Sequence, residues 1–146
     1  IPAGLGARDI LRTEMGYPLH GQDISPSISP LEAKISWAVG WDKPDFDGRE
    51  ALQATRAQGA VRKRVALRAT GRGIPRAHMD VYSDLELQHK IGEITSGTFS
   101  PSLKEGIALA LVDVEYEKLA TMFIDVRGKA LECTNVSLPF IVATPK

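Results

Sequence analysis

Apolar positions recur with helical spacing over residues 2–15. Ile10, Leu11 and Met15 fall on one side of such a helix, which predicts that this side is buried. Gly16 follows as a stop signal, because glycine readily adopts the left-handed conformation that ends many helices. The sequence therefore predicts an N-terminal amphipathic helix.

Residues 31–41 alternate between apolar and polar side chains. This period of two predicts a strand with one buried face, on which Trp37 would lie. The next apolar pattern, over residues 49–58, predicts a second helix that ends at Gly59.

Beyond residue 60 the pattern changes to short strands separated by glycine-containing turns, which recur about every ten residues. Such spacing is typical of an antiparallel barrel or sandwich. The segment 107–112 is apolar on both faces and predicts a strand buried on both sides. The predicted strands cover residues 61–69, 79–83, 90–95, 107–112, 122–126 and 130–135.

Composition narrows the classes of function. The chain has 146 residues, of which 43% are hydrophobic and 25% charged, a balance typical of a folded domain. Its 18 basic and 18 acidic residues cancel, which argues against a dedicated nucleic-acid protein. A single cysteine excludes an internal disulfide, and three widely separated histidines indicate no metal site. No apolar run is long enough to span a membrane.

Arg8 is the most informative candidate for a binding residue. It lies on the apolar side of the first predicted helix and near its start, where the helix dipole disfavours a cation. Gly4 and Gly6 leave room beside it, and a guanidinium can bind a carboxylate or phosphate with two parallel hydrogen bonds. The alternative is an internal ion pair with Glu14, Asp9 or another acid of the same protein, and the residues alone favour that alternative.

Two aromatic residues are candidates for the lining of a ligand-binding pocket. Trp37, on the inward face of the predicted strand, would be either a core residue or a flat surface for an aromatic ligand. Tyr17, just after the helix stop, would serve either purpose.

Residues 61–76 contain six basic residues and no acid. Arg62, Arg64 and Arg68 would share one face of a strand. We interpret them as a solvated sheet edge, with a docking patch for an acidic partner as the alternative.

Two further motifs carry little functional weight. Cys133 alternates with Leu131 and is expected to be a small core residue. The triplet at 135–137 fits a glycosylation sequon, which arises often by chance.

Four segments together resemble one family, in order and over nearly the whole chain. They are GLGARDILRTEMGYPLHGQDISPSISPLEAKISWAVGW (4–41), FDGREAL (46–52), ITSGTFSPSLKEGIALALV (94–112) and DVRGKALE (125–132). They are similar to the C-terminal part of the aminomethyltransferases, the T-proteins of the glycine cleavage system.

The resemblance implies an α+β fold that is predominantly antiparallel β. Residues 1–59 would form the end of a folate-binding core, with a helix–strand–helix order. Residues 60–146 would form a Greek-key-like C-terminal β-barrel. We accordingly interpret the chain as a piece of a longer protein, since it also begins without methionine.

The resemblance also implies an activity. Members of this family transfer a one-carbon unit from the aminomethyl-lipoyl arm of H-protein to tetrahydrofolate and release ammonia. Arg8 matches the arginine that binds the glutamate tail of the folate, which reverses the preference for an ion pair. Trp37 matches an aromatic residue of the folate pocket, and Tyr17 matches a pocket tyrosine found in some members.

The same resemblance places the catalytic residues outside these 146 residues, so the isolated chain is expected to be inactive. The expected co-substrate is tetrahydrofolate and the expected partner is lipoylated H-protein, with no metal, nucleic acid or membrane. Because the chain shows no secretory mark, we expect a cytoplasmic protein.

Two alternatives remain open from the sequence. The first keeps the fold and changes the substrate, as in folate-dependent demethylases or the folate domains of sarcosine and dimethylglycine dehydrogenases. The second is a non-catalytic barrel that docks an acidic protein.

Overall fold

Six antiparallel strands form a closed barrel in this computed structural model, which describes residues 2–142. Two α-helices and a short 3-10 turn precede the barrel, and a second 3-10 turn lies between strands. The elements in chain order are α1 (Leu5–Glu14), a 3-10 turn (Ser36–Ala38), α2 (Arg49–Gln58), β1 (Arg62–Ala69), β2 (Asp80–Tyr82), β3 (Lys90–Ser100), β4 (Glu105–Asp113), a 3-10 turn (Val114–Tyr116), β5 (Thr121–Asp125) and β6 (Ala130–Val136).

The strand order around the barrel is β1-β4-β3-β2-β5-β6, and β6 closes on β1. Three consecutive strands pair as neighbours, and β1 returns to lie beside the last of them, which is a Greek-key arrangement. The predicted barrel and its predominantly antiparallel β content are therefore confirmed.

Two apolar clusters pack against the barrel, one in its interior and one on its outer surface. Inward side chains of all six strands form the interior cluster, in which Leu67, Ile94 and Ala110 are almost completely buried. The outer face of β1 and β4 carries a second cluster, where Ile107 and Leu109 pack with the C-terminal segment around Phe140. This second layer explains why residues 107–112 are apolar on both faces, and it confirms the predicted doubly buried strand.

Both predicted helices are confirmed, but only α1 has buried residues. α1 ends before Gly16, whose φ of +72° is left-handed, and Leu138 packs so closely on Gly16 that a Cβ there would meet it at 2.6 Å. α2 begins after Gly48 and has no buried residue.

The predicted strand over residues 31–41 is wrong, because local hydrogen bonds turn the chain instead. The amide of Ser29 donates to the Glu32 carboxylate, and the amide of Glu32 donates to the Ser29 hydroxyl. This reciprocal pair is a capping box, which starts a helical turn. The amide of Ala33 then donates to the Ser29 carbonyl. The apolar alternation in this segment is therefore not a sheet pattern.

Candidate functional site

The exposed face of α1 carries a shallow apolar depression of about 390 Å³ with Arg8 on its wall. Arg8 is exposed, and none of the ion pairs found among residues 2–142 involves it. The two acids considered as its internal partners are occupied elsewhere, since Asp9 pairs with Arg12 and Glu14 accepts a hydrogen bond from Ser100. Within the described residues, Arg8 is thus available to a ligand.

No contact among the described residues requires a glycine at position 4 or 6 beside Arg8. A Cβ placed on Gly4 or on Gly6 would meet nothing within 4 Å. The space next to the guanidinium is therefore open to a group from outside the described residues.

The predicted orientation of α1 needs correction. Leu11, placed on the buried side by the sequence pattern, is 62% exposed. The side that faces the barrel carries instead Thr13 and Glu14, both almost completely buried. The pattern predicted the helix correctly but assigned the wrong face to the core, so Arg8 and Leu11 share an exposed surface.

The structure brings only one of the two candidate aromatic residues to this depression. Tyr17 lines it together with Arg8 and Met15. Trp37 is not among the lining residues; it lies on the 3-10 turn and is 83% exposed, so its predicted place on the inward face of a strand is wrong.

Sequence reasoning missed the polar anchor of α1, which is built on Arg12 and Asp23. The guanidinium of Arg12 lies 2.6 Å from a carboxylate oxygen of Asp9 and 2.6 Å from one of Asp23. The Asp23 side chain is completely buried, whereas a carboxylate is rarely so without several partners. The sequence does contain a signal for this ion pair: Arg12 lies one helical turn after Arg8, and Asp23 follows in a loop.

The basic residues of β1 are used within the chain. Arg62 pairs with Glu32, and Arg68 pairs with Glu105. Arg64 is buried and donates to the carbonyl of Gly16 at 3.2 Å. Burial lowers the pKa of the Arg64 guanidinium, and the nearby negative charge of Asp23 opposes this effect. The interpretation of these residues as a solvated edge is wrong, because β1 is paired on both sides and its cations hold the N-terminal segment.

A recess of about 590 Å³ lies at the end of β1. Its charged lining residues are Arg68, Arg72, Lys104 and Glu105, so cations exceed acids there. Arg72 and Lys104 are both exposed. Arg72 and Lys104 take part in none of the ion pairs found among residues 2–142, so both are available to a partner in this recess.

The remaining chemical candidates have structural roles. Cys133 is buried in the barrel interior, and burial raises the pKa of its thiol to about 12. The side-chain Nδ2 of Asn135, in the sequon, donates to the carbonyls of Glu117 and Leu119. In residues 2–142 no group of three or more potential metal ligands comes together, and no helix is both long enough and apolar enough to cross a bilayer.

Family comparisons cover both parts of the chain. The profile described as the glycine cleavage T-protein C-terminal barrel domain matches residues 62–141. The profile described as the GCVT N-terminal domain matches residues 1–43.

Individual relatives agree. The chain is 56% identical over 146 residues to the aminomethyltransferase of Parafrankia sp. (strain EAN1pec), covering 100% of this chain and 40% of the relative. It is 52% identical over 142 residues to that of Mycobacterium tuberculosis, covering 96% of this chain and 38% of the relative.

A solved structure shows the same fold. The chain superimposes on the crystal structure of glycine cleavage system aminomethyltransferase T from Bartonella henselae with a TM-score of 0.87 and 36% identity, covering 95% of this chain and 39% of that one. The chain thus spans about 40% of the length of the relatives it matches. With one family profile covering more than half of it, and with relatives above 50% identity, this chain belongs to the glycine cleavage T-protein family of aminomethyltransferases.

Proposed function

We propose that this chain forms the C-terminal part of a cytoplasmic, tetrahydrofolate-dependent aminomethyltransferase. In the reaction, the methylene carbon of an aminomethyl-lipoyl group on H-protein passes to tetrahydrofolate, ammonia leaves, and the lipoyl sulfur regains a proton. Residues 1–59 would complete the folate-binding core and residues 60–146 would form the barrel.

The observation that carries this proposal is the guanidinium of Arg8, which has no ion-pair partner among residues 2–142 and lies beside an apolar depression. A folate ends in a glutamate, so it presents carboxylates next to an aromatic ring. The guanidinium suits the carboxylate, because its fork donates two parallel hydrogen bonds. The apolar lining around Leu11 and Tyr17 suits the ring.

Trp37 is still proposed to contact the folate, but from a different position than the sequence predicted. Its indole is exposed on the 3-10 turn, so it would contribute to the folate pocket from the surface of this segment rather than from a strand. Tyr17 and Arg8 would contact the bound folate from α1.

The experiment uses a fused enzyme in which this chain replaces the matching 40% of the Parafrankia sp. relative. We expect Arg8→Ala to raise the KM for tetrahydrofolate by an amount equivalent to about 1.5–3 kcal/mol, the range for a hydrogen bond to a charged group. Arg127→Ala is the matched control, because Arg127 is also exposed but lies in the β5–β6 turn. A KM for tetrahydrofolate that is unchanged by Arg8→Ala would contradict the proposal.

The isolated chain is proposed to be inactive, since the resemblance places the catalytic residues outside these 146 residues and, among the described residues, no carboxylate, histidine or cysteine lines the α1 depression. Ammonia release from aminomethylated H-protein measures this directly. Turnover by the isolated chain would refute this part of the proposal.

The proposed partner, lipoylated H-protein, would approach the recess at the end of β1. The recess has an excess of positive charge, which attracts an acidic surface and accelerates association. We expect Arg72→Glu and Lys104→Glu to weaken binding of H-protein and to reduce its dependence on salt. Lys118→Glu, an exposed lysine outside this recess, is the control. Equal effects of all three changes would argue against a defined docking site.

A further inference from the structure

The carboxylate of Asp23 is a completely buried acceptor that joins three parts of the chain. One oxygen accepts from Arg12 at 2.6 Å, from the Leu19 amide at 2.9 Å and from the Ser96 hydroxyl at 2.8 Å. The other accepts from the Thr95 hydroxyl at 2.6 Å. A buried charge is tolerated when it is paired and fully hydrogen-bonded, and here both conditions are met.

A β-bulge aims two consecutive hydroxyls at this carboxylate. Neighbouring side chains on a regular strand point to opposite faces. The register of β3 against β4 shifts between Ile94 and Ser96, so that Ile94 faces the barrel interior, Ser96 lies outside opposite Leu109, and Thr95 is the extra residue. Bulges of this kind redirect side chains, which is how both hydroxyls reach Asp23.

Polar contacts, rather than apolar packing, fix α1 on the barrel. No residue of α1 belongs to either hydrophobic cluster of the described chain. Its buried residues are Thr13 and Glu14, and Glu14 accepts a hydrogen bond from Ser100 of the same strand β3. The rotation of α1 about its own axis is therefore set by carboxylate contacts to β3.

Arg12 transmits this constraint to the proposed folate site. It lies four residues after Arg8, so the two side chains are neighbours on one face of the helix. Arg12 is held between Asp9 of its own helix and Asp23 of the loop. Fixing Arg12 fixes the direction in which Arg8 leaves the helix.

We propose that Asp23 is a positioning residue, which orients α1 through Arg12 so that Arg8 meets the glutamate tail of the folate. This inference rests on the proposed function of Arg8. It assigns to the Thr95–Ser96 bulge the task of holding Asp23, and it predicts that Asp23 affects folate only through the tail.

The experiment compares two substrates in the fused enzyme: tetrahydrofolate and tetrahydropteroate, which lacks the glutamate tail. We expect Asp23→Asn to raise the KM for tetrahydrofolate by about 10- to 100-fold, because a misdirected Arg8 loses hydrogen bonds between charged groups, whose loss weakens binding by about this factor. The KM for tetrahydropteroate and the kcat for both substrates should change little. Ser96→Ala, which removes one hydroxyl donor and keeps the charge, should give a smaller change with the same dependence on the tail.

Glu32→Gln is the matched control, since Glu32 is also a buried acid of the N-terminal segment but pairs with Arg62 on β1. It should leave the ratio of the two KM values unchanged. Hydrogen exchange at α1 amides provides an independent readout, and faster exchange is expected in Asp23→Asn than in the control.

The outcomes separate the two proposals. If Arg8→Ala affects both substrates equally, the proposed role of Arg8 fails. If Arg8→Ala is specific for the tail but Ser96→Ala and Asp23→Asn affect both substrates equally, Asp23 is only a structural residue and the present inference is overturned. If Asp23→Asn does not fold, Ser96→Ala decides by the same ratio.

Discussion

Gly97 allows the loop before β2 to rest directly on β3, and replacing it with alanine tests this packing. A Cβ at Gly97 would lie 2.5 Å from the carbonyl oxygen of Pro75 and 3.0 Å from the amide nitrogen of Arg76. Both contacts are backbone atoms, which cannot rotate away as the end of a flexible side chain can. Gly97→Ala must therefore displace either the loop or the strand.

The expected cost follows from the contact distance. Ordinary van der Waals contact begins near 3.4 Å, so the segments must separate by roughly 1 Å. Overpacking of this kind costs about 1–3 kcal/mol. The upper part of this range, about 2–3 kcal/mol, applies here because the clashing atoms belong to the backbone. Alanine recovers about 0.5–1 kcal/mol of backbone entropy relative to glycine, which leaves a net loss of about 1–2.5 kcal/mol. For a chain of this length the melting temperature should fall by about 2–10 °C.

The assay is thermal unfolding followed by circular dichroism, with Gly6→Ala as the control. A Cβ at Gly6 meets nothing within 4 Å, and alanine is the better helix former, so this variant should be at least as stable as the original chain. We therefore expect the melting temperature to fall in Gly97→Ala and to stay the same or rise in Gly6→Ala. A Gly97→Ala variant with an unchanged melting temperature and unchanged amide shifts at Pro75's neighbour Arg76 would show that the loop does not rest on the strand.

Two further predictions concern titratable groups. Cys133 should resist a thiol reagent at pH 8, because a thiol pKa of about 12 leaves roughly one thiolate in ten thousand there; mass spectrometry should detect labelling only after unfolding, and rapid labelling of the native chain would contradict its burial. For Glu32, burial raises the pKa, but hydrogen bonds from Ser29 and Arg62 outweigh it and hold the pKa below 4.5. Its contribution to stability is therefore complete above that pH and is lost as the pH falls through the lowered value. Urea unfolding from pH 7 to pH 3 should show a smaller loss for Glu32→Gln than for the original chain, and parallel profiles would rule out this linkage.

The barrel was predictable because each strand carries its own evidence. Residues 61–69 alternate in side-chain size and charge, and Leu67 points inward while Arg68 points outward to Glu105. The glycine turn at residue 128 is equally local, since its φ of +79° is one that glycine adopts readily. Antiparallel hairpins account for three of the six pairings, β2–β3, β3–β4 and β5–β6, because they connect neighbours in sequence. The other three, β1–β4, β2–β5 and β1–β6, join strands that are distant in sequence, so local patterns do not predict them.

The segment 31–41 was mispredicted because two local signals disagreed. Alternating apolar positions indicated a strand, whereas Ser29 and Glu32 have the spacing of a capping box. The capping box prevails because its hydrogen bonds form within the segment, while a strand needs a partner strand. As a result, Trp37 lies on an exposed turn rather than on the buried face of the predicted strand.

The functional surface was hardest to predict because composition counts charges without showing which are already paired. The run 61–76 looks like a continuous basic stripe, yet Arg62, Arg64 and Arg68 are bound by groups of this same chain. Arg8, a single cation in a less basic segment, has no such partner within residues 2–142. The charge available to a ligand is what remains after internal pairing, so an isolated arginine beside an apolar depression is a stronger indication of a binding site than a longer run of cations on a paired strand.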